Sequence, residues 1–62
     1  MRNYHLVLED GTERNIRAEH LRVVDGVLEF KNGTQEQGFE LVCAYAAGTW
    51  KYVEVERLDD KG

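Results

Sequence analysis

The chain has 62 residues, a formal net charge of -4 and one cysteine, Cys43. A single cysteine excludes an internal disulfide, and an acidic chain is poorly suited to non-specific binding of nucleic acid or an anionic membrane, both of which are polyanions. A domain of this length hides only about 60% of the surface its unfolded form exposes, so self-association is the expected source of added stability.

Turn signals recur at Asp10-Gly11, Asp25-Gly26, Asn32-Gly33, Gly38 and Ala47-Gly48, and there is no proline. Short runs rich in valine, leucine and aromatics between such signals predict an all-β fold, a six-stranded antiparallel meander forming a small barrel or strongly bent sheet. The strands are expected at about residues 3–8, 12–17, 20–24, 27–31, 39–46 and 50–57. Residues 1–58 then make a single β domain, and 59–62 a charged, fraying tail.

The first hairpin turns through Glu9, Asp10 and Gly11, with glycine in the left-handed position of a three-residue loop. This register sets Tyr4 opposite Ile16 and points both inward with Leu6 and Leu8, leaving His5, Val7, Glu13, Asn15 and Arg17 outward. The link Ala18-Glu19 is so short that the next strand either continues the meander or forms one bent strand with its predecessor.

Asp25-Gly26 between Val23-Val24 and Val27-Leu28 is the composition of a two-residue type I′ turn. It pairs Leu21 with Phe30 and Val23 with Leu28 on one face, and Arg22 with Glu29 and Val24 with Val27 on the other. The stretch KNGTQEQG that follows is polar, carries two glycines and is expected to be the longest and most mobile loop. Its Asn32-Gly33-Thr34 matches a glycosylation sequon but reads as a turn.

Phe39 to Arg57 contains two apolar runs joined around Gly48. A three-residue loop Ala46-Ala47-Gly48 predicts a hairpin with Leu41 opposite Val53 and Phe39 opposite Val55, at the cost of placing Glu40 against Glu54. Phe39, Leu41, Cys43 and Tyr45 then share one apolar face; Val42, Ala44, Trp50 and Tyr52 share the other. The expected core is Leu6, Leu8, Ile16, Leu21, Val23, Leu28, Phe30, Leu41, Val53 and Val55.

No catalytic, metal or phosphate-binding constellation emerges. His5 and His20 lie on different strands without a partner at useful spacing, and Cys43 reads as a small packed hydrophobe. Glu40, Glu54, Glu56, Asp59 and Asp60 read as a solvated acidic edge. No cofactor or metal is expected, and the chain reads as non-enzymatic. The absence of a signal peptide or long apolar run leads to the expectation of a cytoplasmic protein without a membrane.

The pattern YHLVLEDGTERNIRAEHLRVVDGVLEF, followed by an aromatic run ending AAGTWKYVEV, resembles small uncharacterised all-β proteins encoded in bacterial and phage genomes. What the resemblance implies is an accessory protein that binds and inhibits a host component or sequesters a small signal. Trp and Tyr are enriched at protein contacts, so Val42, Ala44, Trp50 and Tyr52 are the expected interface of a homo-oligomer or with a protein partner. The alternative is a small anionic ligand such as a nucleotide, held by Arg14, Arg17 and Arg22 where subunits meet.

Overall fold

A computed structural model describes residues 1–56, and the expected tail at 59–62 lies outside them. The chain is all β, with six strands: β1 (Arg2–Leu8), β2 (Glu13–Ala18), β3 (His20–Val24), β4 (Val27–Thr34), β5 (Gly38–Tyr45) and β6 (Trp50–Glu56). They form two antiparallel three-stranded sheets, β2-β1-β6 and β3-β4-β5. The hydrogen-bonded ladders stop at both junctions between the sheets, so among the described residues there is no closed barrel. No helix is long and apolar enough to cross a membrane among them.

Both local hairpins take the registers their turns dictate. Tyr4 faces Ile16 across β1 and β2, and Leu8 closes the loop by donating its amide to the Thr12 carbonyl at 2.8 Å. Asp25 and Gly26 have φ of 51° and 81°, the pair of positive angles a type I′ turn needs, and Leu21↔Phe30 and Val23↔Leu28 follow.

The C-terminal hairpin expected between Phe39 and Arg57 does not form. β5 pairs with β4, whereas β6 crosses to the other sheet and pairs with β1, setting Val53 opposite Leu6 and Val55 opposite Tyr4. The exchange also removes the anticipated carboxylate clash, since Glu40 meets Asn32 and Glu54 meets His5. The segment KNGTQEQG is likewise no long loop: β4 continues to Thr34, three residues reverse the chain, and β5 begins at Gly38. Gly33 fits there because β5 runs close by; a Cβ would lie 2.3 Å from the Gly38 oxygen.

Glu19 is the only residue between β2 and β3, which enter different sheets and do not pair with each other. Side chains replace the ladder at this corner. The Glu19 amide donates to Asn32 Oδ1 at 2.9 Å, the Gly33 amide donates to Glu19 Oε1 at 2.7 Å, and His20 Nε2 donates to the Gly33 carbonyl at 2.8 Å.

The inner faces of the two sheets meet in a core of Tyr4, Leu6, Ile16 and Ala18 from one and Leu28 and Phe30 from the other. The Tyr4 and Phe30 rings lie 5.3 Å apart in a tilted pair. Leu8, Leu21, Cys43, Tyr45, Trp50 and Val53 pack around them. Three residues expected inside are instead about half exposed: Val23, Leu41 and Val55. Val23 stands on an edge strand, and Val55 borders an open cavity. Leu41 is turned outward by a register shift beside Val42, which sets it opposite Lys31, while Cys43 stays opposite Phe30.

Candidate functional site

The expected interface set does not occupy one face. Val42 and Ala44 belong to β5, Trp50 and Tyr52 to β6 in the other sheet. A second register shift sets Trp50 opposite Leu8 but Tyr52 opposite Val7, so the two aromatics separate. Trp50 packs against the core and donates its indole N–H to the Gly26 carbonyl at 2.8 Å, whereas Tyr52 is exposed. The same kind of shift in β5 divides its expected apolar face. Cys43 and Tyr45 lie inward; Phe39 and Leu41 are exposed together with Val42.

Val23, Tyr52 and Val55 are exposed singly on other strands, and the densest run of exposed apolar side chains lies on β5, an edge strand of its sheet. Phe39 is 53% exposed, Leu41 56% and Val42 43%, which makes three large apolar side chains open to water within four residues. The His20 ring meets Phe39 edge-on at 5.5 Å between centroids, and Lys31 Nζ stands 6.0 Å from that ring. Lys31 is also 3.3 Å from the Glu29 carboxylate, the partner that Arg22 was expected to hold across the ladder.

Within one chain the expected arginine set is dispersed. Arg14 and Arg17 alternate along β2, opposite Leu6 and Asn3, and Arg22 lies on β3 opposite Glu29. The acidic residues are divided too, with Glu40 on β5 and Glu54 and Glu56 on β6; Asp59 and Asp60 lie outside the described residues. His5 Nε2 comes within 3.0 Å of Glu13 Oε1, yet no group meets it with hydrogen-bond alignment. Burial pushes the Cys43 thiol up from its ordinary value, which favours its protonated form. Among the described residues no group of three or more His, Cys, Asp or Glu side chains could hold a metal ion.

One cavity brings together residues that the sequence gives no reason to associate. It has a volume of about 360 Å³ and is lined by Arg2 and Tyr4 of β1, His20 and Leu21 of β3, and Val55 of β6. Arg2 and His20 come from strands in separate sheets. Only the pairing of β6 with β1 and the abrupt turn at Glu19 put these walls side by side, and neither has a sequence signature.

No family model, curated protein or solved structure matches the chain.

Proposed function

We propose that this protein is a non-enzymatic β interaction module that self-associates and binds a protein partner. The observation that carries the reading is the run of exposed apolar side chains Phe39, Leu41 and Val42 on the β5 edge. Three large exposed apolar side chains within four residues favour a protein contact, and a core of six buried residues among those described leaves a small domain dependent on further cover. The occupant is a second copy of the chain. β5 is an edge strand, whose open backbone flank can pair with the same strand of a second copy across a two-fold axis while Phe39 and Leu41 of the two copies cover one another.

The interface proposed from the sequence is thereby shifted from the Trp50/Tyr52 face to β5, with Val42 common to both. Trp50 serves within its own chain. On the resemblance to bacterial and phage accessory proteins, the further partner is a host component bound by the same edge or by the assembled dimer. The alternative function, sequestration of a small anionic ligand, draws no support from Arg14, Arg17 and Arg22 within a single chain.

Sedimentation equilibrium tests the proposal. Replacing Phe39 and Leu41 together with serine should lower the apparent mass to that of one chain while leaving the far-ultraviolet spectrum intact. A wild-type protein already at single-chain mass, or a double variant of unchanged mass, overturns it.

A further inference from the structure

We propose that the cavity between the start of β1, the end of β6 and the start of β3 binds a small organic monocarboxylate. It offers cationic and hydroxyl donors from Arg2 and Tyr4 beside apolar walls from Leu21 and Val55. At about 360 Å³ it falls at the small end of the roughly 300–1,000 Å³ typical of ligand sites, which suits a small molecule.

Two donors beside the cavity, the exposed Arg2 guanidinium and the Tyr4 hydroxyl, define the head group. Tyr4 is 3% exposed, and among the described residues none receives a hydrogen bond from its hydroxyl. The hydroxyl is not among the buried polar atoms left without a partner, so it meets solvent at the cavity and can donate to a ligand acceptor in place of water. Arg2 has no carboxylate within ion-pair distance among the described residues, and its planar fork matches the two oxygens of a carboxylate. His20 already gives Nε2–H to the Gly33 carbonyl. That bond fixes the ring at the cavity wall and leaves Nδ1 as its second polar atom.

Charge selects among anions. Among the described residues Arg2 is the one permanently cationic side chain lining the cavity, in a chain of net charge -4. A singly charged head is neutralised there, whereas a phosphate dianion carries an excess charge into an acidic protein. The remaining walls, Leu21, Val55 and the Tyr4 ring, call for a short aliphatic or aromatic body. The inferred ligand is thus a small carboxylic acid in its ionised form, held head-first by Arg2 and Tyr4. The cavity lies within one chain, so the inference stands whether or not copies associate through β5.

The test is an amide-resonance titration of the full chain with benzoate and with hexanoate, using benzyl alcohol and inorganic phosphate as comparisons. Both carboxylates should give saturable shifts centred on Arg2, Tyr4, Leu21 and Val55. Benzyl alcohol should give none, and phosphate should bind more weakly. Arg2→Gln should weaken carboxylate binding about tenfold or more, and Tyr4→Phe, which keeps the ring, by several-fold. Absence of saturable shifts in the millimolar range, shifts centred elsewhere, equal binding by the alcohol, or tighter binding by phosphate overturns the assignment. Since the wild-type titration stands alone, a variant that fails to fold does not remove the test.

Discussion

The indole N–H of Trp50 donates to the carbonyl of Gly26 at 2.8 Å, fastening the first residue of β6 in one sheet to the tight turn of the other. Trp50→Phe keeps an aromatic ring but removes the donor, and should cost about 0.5–1.5 kcal/mol. Trp50→Ala also removes packing against the core and should cost more. Urea unfolding at one fixed protein concentration measures both, because association changes apparent stability. Equal stability of wild type and the phenylalanine variant would show that the bond contributes nothing net.

Leu28 and Val23 face each other across a hairpin, yet one is fully buried and the other is 53% exposed. Leu28→Ala should cost about 2–5 kcal/mol. That approaches the roughly 3–5 kcal/mol a core of this size supplies, so a large unfolded fraction is expected at room temperature. Val23→Ala should cost less than about 1 kcal/mol. Circular dichroism during urea unfolding separates the two, and matching midpoints would contradict the assignment of the core.

Gly33 has φ of 113°, and a Cβ there would lie 2.3 Å from the Gly38 oxygen and 3.2 Å from Phe39 Cα. Those neighbours are backbone, which cannot swing aside. Gly33→Ala should therefore lower the melting temperature clearly more than Gly38→Ala, where the φ of 91° is strained but open space surrounds the added carbon. Calorimetry gives the comparison directly. The reverse order would mean that β4 and β5 part easily at this end.

Asp10 accepts the Thr12 amide at 2.9 Å, and its bonds to Thr12 hold its carboxyl below the ordinary carboxylate range. A folded-state value below the unfolded one gives a stabilising contribution that is present above the unfolded value. It is lost as pH falls through the folded value. Asp10→Asn should flatten that part of the acid-unfolding curve, and carbon-detected titration of the Asp10 side chain should find its midpoint below that of a model peptide.

The Cys43 thiol has the opposite sign of dependence. Burial raises it, so the unfolded chain loses its proton first, and the contribution to stability is present below the ordinary thiol range and lost as pH rises through the folded value. Alkylation by iodoacetamide should be slower than for a free thiol at neutral pH and should accelerate only in alkaline solution. A rate equal to that of free cysteine would place Cys43 in an open site.

What was legible in the sequence is what short-range chemistry determines. Asp25-Gly26 specifies its own turn, and the turn specifies Leu21↔Phe30; the loop at Glu9 to Gly11 does the same for Tyr4↔Ile16. The partners of β5 and β6 are decided by contacts far along the chain, where Val53 finds Leu6 and Cys43 finds Phe30. Two one-residue register shifts then reversed the facing of Leu41 and separated Trp50 from Tyr52, since side chains alternate strictly along a strand. The cavity was beyond reach for the same reason: Arg2 and His20 share no turn, run or spacing.

The sheet β3-β4-β5 is drawn from one uninterrupted stretch of chain, whereas β1 holds a middle place between β2 and the last strand, β6. On the ribosome, the β1-β2 hairpin must therefore wait with one flank of its backbone bare until β6 has been translated. The temporary guest best placed to occupy that flank is another nascent copy, so dense polysomes are where the exchange of β6 between neighbouring chains would begin.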